Sequence, residues 1–122
     1  MTPFGNYLEQ LRRKRGLQQQ QLAEGVGINA CYISGMEGGR KNPASKEVLN
    51  RIIKVLDLST EEVETFWLRV EQSKRSIKIP QETSAKEFEL ISELWKKLGS
   101  LSEPQIHIIS AALKITTTRG GQ

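Results

Sequence analysis

Apolar residues recur every three or four positions along most of the chain, which is the spacing of amphipathic helices. The clearest run is a stripe that follows Ser45 and consists of Val48, Leu49, Ile52, Ile53 and Leu56. Glycines, which favour the end of a helix, interrupt the pattern at Gly16, Gly27, Gly38 and Gly39. Residues 1–73 are therefore predicted to form five helices and an all-α domain.

Residues that cap helices stand where these helices are predicted to begin. Asn29 is placed to cap the third helix, which carries Ile33 and Met36. Ser59 and Glu62 have the spacing of a capping box in front of the fifth helix. The apolar residues expected on the inner side of that helix are Val63, Phe66, Trp67 and Val70. The caps thus support the same helices as the apolar stripes.

The pattern changes at residues 74–83, where Ile77 and Ile79 alternate with polar residues. This segment is predicted to be a linker, and the alternation leaves open a short strand. Residues 84–116 are predicted to form a helical hairpin, and residues 117–122 a disordered tail. The apolar positions of the hairpin are Phe88, Ile91, Leu94, Trp95, Leu98, Ile106, Ile109 and Leu113. Because so small a hairpin cannot bury both apolar faces alone, we expect it to pack on the first domain, on a partner protein or on a second copy of itself.

The composition argues against an enzyme. Among its 122 residues the chain has one cysteine, Cys31, and one histidine, His107. A disulfide within the chain is therefore excluded, and the histidine and cysteine clusters of metal and catalytic sites are not available. No apolar run is long enough to cross a membrane. We expect a cytoplasmic protein without catalytic residues, cofactor or metal site.

Positive charge is concentrated in the N-terminal half of the chain. The net charge is +4, but residues 1–56 carry nine basic and four acidic side chains. Residues 57–75 carry three basic and five acidic side chains, and residues 76–122 carry six and five. A basic half of this kind is the electrostatic footprint of a polyanion-binding surface, and an ordinary solvated surface is the alternative.

Residues 18–37 are predicted to form two short helices joined by a tight turn that contains glycine, which is a helix-turn-helix arrangement. Matching residues occur in order from about residue 4 to residue 72: Leu11-Arg12, Gly16-Leu17, Gln19-x-x-Leu22-Ala23-x-x-Val26-Gly27, Tyr32-Ile33-Ser34-x-Met36-Glu37-x-Gly39-Arg40 and Ser45-x-x-Val48-Leu49-x-x-Ile52. In these residues the sequence resembles the Cro/phage-repressor type of helix-turn-helix transcriptional regulators, the XRE family.

The resemblance implies a sequence-specific, nucleoid-associated regulator of transcription, most simply a repressor that binds a palindromic operator as a dimer. Its third helix is then the recognition helix, which enters the major groove of double-stranded DNA. The residues implied to face the bases are Asn29, Ala30, Cys31, Ser34 and Gly35, with Tyr32 beside them. Ala30, Cys31 and Gly35 cannot form the paired hydrogen bonds that read a base. Shape readout and phosphate contacts are therefore expected to contribute more of the specificity.

Four polar residues around the motif are candidate contacts to the DNA backbone. The resemblance implies that Gln19, in the first turn of the second helix, binds a phosphate together with backbone N–H groups. Arg40 and Lys41 follow the recognition helix and are expected to meet the backbone across the groove. Lys46, near the start of the fourth helix, is a weaker candidate.

Other residues are expected to support the motif rather than to touch DNA. The resemblance pairs Arg12 of the first helix with Glu37 at the end of the recognition helix. Gly27 is expected to supply the positive φ of the turn. The basic residues 13–15 are predicted to be mostly solvated. A redox role for Cys31 is conceivable beside a helix N-terminus, but a semi-buried structural cysteine is the commoner case.

The hairpin, together with Ile77 and Ile79, is the predicted dimerisation element. The alternative is a protein-interaction adaptor, or an antitoxin-like protein, in which the hairpin binds a different partner protein. Self-association in solution favours the regulator, whereas a monomer with an exposed apolar surface favours the adaptor.

Overall fold

The computed structural model describes residues 1–116. This part of the chain contains seven helices: α1 (Pro3–Lys14), α2 (Gln19–Val26), α3 (Ala30–Glu37), α4 (Lys46–Leu56), α5 (Thr60–Gln72), α6 (Ala85–Lys97) and α7 (Glu103–Leu113). No strand occurs among residues 1–116, so the predicted all-α class is confirmed. The tail predicted at residues 117–122 lies outside the described residues.

The short strand considered for residues 74–83 is wrong. Ile77 and Ile79 lie in an irregular segment, and both side chains are exposed. A strand needs a neighbouring strand to complete its hydrogen bonds, and the described chain offers none. The alternation of apolar and polar residues is therefore insufficient by itself. The same segment contains the boundary between two compact units, Met1–Ile77 and a second unit that begins at Lys78.

The first unit has one hydrophobic core. Helix α1 packs against α3 and α5, while α2 packs against α3 and α4. The largest fully buried side chains in this core are Phe4, Leu8, Leu22, Val26, Ile33, Met36, Ile52, Leu56 and Phe66. The rings of Phe4 and Phe66 meet edge to face with centroids 5.2 Å apart, and Trp67 packs on Phe66 in the same way at 5.5 Å. Such pairs stabilise a core beyond the area that they bury.

A hydroxyl group joins the N-terminal helix to the end of α5. Ser73 is buried, and its Oγ accepts a hydrogen bond of 2.8 Å from the backbone N of Phe4. The same hydroxyl donates to the carbonyl oxygen of Arg69 at 2.7 Å. This link satisfies an N–H group of the first turn of α1, which has no partner within its own helix.

Arg15 corrects the prediction that residues 13–15 are mostly solvated. Its side chain is only 24% exposed, and Nη2 donates to Glu62 Oε1 at 2.8 Å. Its Nε also donates to the carbonyl oxygen of Leu56, near the C-terminal end of α4. Arg15 therefore joins the end of α1 to α4 and α5. A run of basic residues gives no sign of which one turns inward, because that depends on where distant carbonyl groups lie.

The ion pair with Arg15 controls the protonation of Glu62. Hydrogen bonds from Arg15 and from the backbone of Ser59 lower the pKa of Glu62 from its ordinary value of 4.5 to about 2. Because the folded state holds this carboxylate ionised, the resulting stabilisation is present above about pH 4.5 and is lost as the pH falls towards 2.

We expect Glu62→Gln to lower the free energy of unfolding at pH 7 by about 1 kcal/mol, since glutamine keeps the capping box but loses the ion pair. Urea unfolding at pH 7 and pH 2.5 measures the difference between variant and wild type, which is expected to shrink at the lower pH. A difference that stays constant between these two pH values would contradict the ion-pair account.

The second unit contains α6 and α7, each of which begins with a capping box. Ser84 and Glu87 cap α6, while Ser102 and Gln105 cap α7. In contrast to the first unit, no residue of either helix is buried. Most of the apolar residues predicted for the hairpin are exposed, while Leu94 and Ile109 are half-buried.

Candidate nucleic-acid interface

Helices α2 and α3 are joined by a three-residue turn that depends on glycine. Gly27 has φ +84°, in the left-handed region, and its N–H donates to the carbonyl oxygen of Ala23 at 2.8 Å. This region is open to glycine at little steric cost, so the positive φ predicted for Gly27 is confirmed. The joint beneath the turn consists of the buried side chains Leu22, Ala23, Val26, Ile33 and Met36.

The residues at the start of α3, which the resemblance implies face DNA, differ in their exposure. Asn29 is exposed and caps the helix, with its Oδ1 accepting a 2.7 Å hydrogen bond from the backbone N of Cys31. Cys31 is exposed rather than semi-buried. Ala30 and Tyr32 are half-buried against the core, and Ser34 is half-buried. The N-terminal turn of α3 therefore offers few polar side chains of its own.

Gly35 does not lie on an open surface, although the resemblance placed it among the residues that face the bases. It is buried, and the side chain of Lys41 covers it. A Cβ atom at Gly35 would lie 2.8 Å from Lys41 Cδ and 2.9 Å from Cγ. The ammonium of Lys41 reaches the face of the Tyr32 ring, 5.8 Å from its centroid. Because glycine has no side chain, Lys41 can cross the recognition helix at this point.

Arg40 and Lys46 occupy other positions around the motif. Arg40 is exposed, and its guanidinium lies over Gly38 and within 3.4 Å of Ser34 Oγ, near the C-terminal end of α3. Lys46 is the first residue of α4 and is exposed. Both cations are accessible to a polyanion that approaches α3.

Glu37 is the centre of a buried polar network. Arg12 Nε donates to Glu37 Oε2 at 2.7 Å and Nη2 donates to Oε1 at 3.0 Å, so the expected ion pair is present. A third donor of Arg12 reaches the carbonyl oxygen of Leu17 at 2.7 Å. The hydrogen bond to Glu37 raises the pKa of Arg12 above its ordinary value, against the opposing effect of burial.

The same carboxylate holds Gln19. Gln19 Nε2 donates to Glu37 Oε1 at 3.0 Å, so the side chain that is implied to bind phosphate is oriented by the end of the recognition helix. The sequence pattern did not indicate this contact. The buried carboxylate of Glu37 thus joins α3 to α1 through Arg12 and to α2 through Gln19.

The profile of a family described as helix-turn-helix domain matches residues 3–66, which is more than half of the chain. The chain belongs to the helix-turn-helix domain family. The resemblance to the Cro/phage-repressor, or XRE, type is confirmed. The match extends from α1 into α5 and includes the whole of α2 and α3.

Two individual proteins are similar to parts of this chain. The uncharacterized HTH-type transcriptional regulator RghRB of Bacillus subtilis (strain 168) is 41% identical over 58 residues, which are 45% of this chain and 42% of RghRB. The matched region thus spans less than half the length of that relative. A solved structure of a SinR protein/SinI protein complex is 22% identical with a TM-score of 0.44, and covers 91% of this chain and 94% of that chain.

The helix-turn-helix domain has one further contact that sequence reasoning missed. The side chain of Arg75 donates a hydrogen bond to the carbonyl oxygen of Gly39. Gly39 precedes Arg40 and Lys41, and Arg75 follows α5. This hydrogen bond therefore connects the loop that carries the two cations to the segment that follows α5.

Neither a metal-binding cluster nor a membrane-spanning helix occurs in the part of the chain that the structure describes. Residues 1–116 hold no group of three or more His, Cys, Asp or Glu side chains that suits a metal ion. Within the same range, no helix has both the length and the apolar character needed to cross a membrane.

Proposed function

We propose that this chain is a sequence-specific DNA-binding regulator of transcription, and that it acts as a repressor on a palindromic operator. The observation that carries this proposal is the helix-turn-helix unit, in which the cations Arg40 and Lys41 of the following loop both lie against α3. The relative that is 41% identical over 58 residues is named a transcriptional regulator, which supports the same class. Bound to an operator, such a protein represses by occupying the site.

Phosphate contacts are assigned to Gln19, Arg40 and Lys46. Gln19 begins α2, where backbone N–H groups without partners favour an anion. In the unbound protein Gln19 donates to Glu37, and this bond fixes the side chain at the start of the helix. Arg40 and Lys46 supply the positive charge that displaces counterions from DNA. These contacts position α3 and contribute to the affinity for every sequence.

The hairpin is the proposed dimerisation element. Its large apolar side chains are exposed on both helices: Phe88, Leu90, Ile91, Trp95, Leu98, Ile106, Ile108 and Leu113. Trp95 is 72% exposed and Leu113 is 79% exposed, values that are costly for a surface that stays in water. A second copy would cover these residues with an equivalent surface, as two-fold symmetric dimers do. The two recognition helices would then read two inverted half-sites.

The salt dependence of binding tests the phosphate contacts. We expect Arg40→Ala to weaken binding to all duplex sequences alike. The slope of log affinity against log salt is expected to become shallower by about 0.9 for each Arg40 removed, hence by nearly two for a dimer. Titration of labelled duplexes at several salt concentrations measures both effects, with Arg40→Lys as the charge-conserving control. An altered base preference with an unchanged slope would show that Arg40 reads bases instead.

A further inference from the structure

The recognition helix lacks strong base-reading groups at most of its exposed positions. Ala30, Cys31 and Gly35 cannot donate the hydrogen bonds that identify guanine. Asn29 uses its Oδ1 as the helix cap, which leaves its neutral Nδ2 amide as a donor. Residues 29–37 contain no lysine or arginine, so a cationic donor for guanine at the start of α3 has to come from elsewhere in the chain.

The side chain of Lys41 extends towards the start of α3. Its aliphatic part crosses α3 at Gly35, and its ammonium ends over the ring of Tyr32. Tyr32 is the third residue of α3 and Gly35 the sixth, so the side chain of Lys41 extends from Gly35 towards the N-terminal turn. This is the end of a recognition helix that meets the base edges. The guanidinium of Arg40, by contrast, lies near Ser34 and Gly38, towards the C-terminal end.

We propose that Lys41 reads a guanine in the major groove, and that Gly35 is the notch that lets it do so. The assignment rests on the proposed function and replaces the backbone contact expected for Lys41 from the sequence. Lysine matches the O6 and N7 acceptors of guanine, which together distinguish guanine from the other bases. The contact with Tyr32 holds the long side chain along the helix before DNA arrives, which lowers the ordering cost of binding.

Selection of bound duplexes from a randomised DNA library tests this assignment on the full chain. The wild type is expected to enrich a motif with guanine at one position of each half-site. Lys41→Met keeps an unbranched chain that can cover Gly35 but removes the ammonium. With this variant, discrimination at that position is expected to fall at least about fivefold while the other positions keep their preferences.

Three further variants separate base reading from other roles. Lys41→Arg should retain the preference for guanine. Lys46→Met removes the same charge at the start of α4 and should weaken all sequences alike. Gly35→Ala places a methyl group 2.8 Å from the present position of Lys41 Cδ, which forces the lysine side chain to move, so it should relax the same base position as Lys41→Met. Alanine is the better helix former, so a folded Gly35→Ala protein is expected by circular dichroism.

The outcomes that overturn the role of Lys41 differ from those that overturn the proposed DNA-binding function. If Lys41→Met keeps every base preference of the wild type and only the salt slope decreases, Lys41 is a phosphate contact and the assignment is overturned. If Gly35→Ala selects the same DNA motif as the wild type, the absence of a side chain at Gly35 is not required for base reading. A wild-type chain that enriches no sequence at all overturns the proposed function, and this assignment with it.

Discussion

A chain that ends after Ile77 is expected to be a folded monomer that binds the operator about 10²- to 10⁴-fold more weakly than the full chain. It should fold because the buried hydrophobic residues of the core all lie between Phe4 and Phe66, and because Ser73 and Arg75 remain. Affinity falls because two linked recognition helices bind the second half-site at a high effective concentration, whereas separate monomers do not. Sedimentation and duplex titration measure the two effects.

A point variant separates loss of the dimer from loss of chain length. Trp95→Glu places a charge on the exposed apolar surface of α6 and leaves the chain at full length. It is expected to dissociate the dimer and to weaken operator binding as truncation does. A truncated chain that remains dimeric with full affinity would place the interface within residues 1–77. A full chain that is monomeric would instead favour the adaptor, in which the hairpin binds a different protein.

Glu37→Leu is expected to cost about 3–5 kcal/mol of stability, since it leaves the buried guanidinium of Arg12 without its anion. Removing this carboxylate costs more than removing one from a surface ion pair, because two nitrogens of Arg12 and the amide of Gln19 all donate to it. Urea unfolding of the truncated domain measures the change, and avoids a contribution from dimer dissociation.

Two controls identify the source of that cost. Glu24→Leu makes the same change at an exposed position of α2 and is expected to alter stability by no more than about 0.5 kcal/mol. The double variant Arg12→Met with Glu37→Leu removes both charges and should recover most of the loss, since a buried pair replaced by apolar side chains is often tolerated. A double variant as unstable as Glu37→Leu alone would assign the loss to packing rather than to charge.

The helices could be predicted from the sequence because their signals are local. Apolar spacing and caps are read within a few residues, and Asn29 and Ser59 each cap the helix expected of them. The expected pair of Arg12 and Glu37 came from the family resemblance. In the segment 74–83, local alternation suggested a strand wrongly, since a strand depends on a neighbour that the segment itself does not reveal.

Side chains that act across long distances in the chain could not be predicted in the same way. Arg15 is bound by groups more than 40 residues away, and its neighbours Arg13 and Lys14 look alike in sequence. The sequence shows only that Lys41 follows the recognition helix, and that position predicts a contact with the DNA backbone. The path of Lys41 over Gly35 depends on a rotamer and on the absence of a Cβ atom, which appear only in three dimensions.

The symmetry of the DNA selected by the full chain tests the central claim most directly. Duplexes enriched from a random library, with the mass of the resulting complex, report sequence specificity and stoichiometry together. A dimeric regulator is expected to select two inverted half-sites whose centres lie about 10 base pairs apart, or a multiple of that spacing, and to occupy them with two copies of the chain. An asymmetric single site bound by one copy, or no enrichment of any sequence, would contradict this claim.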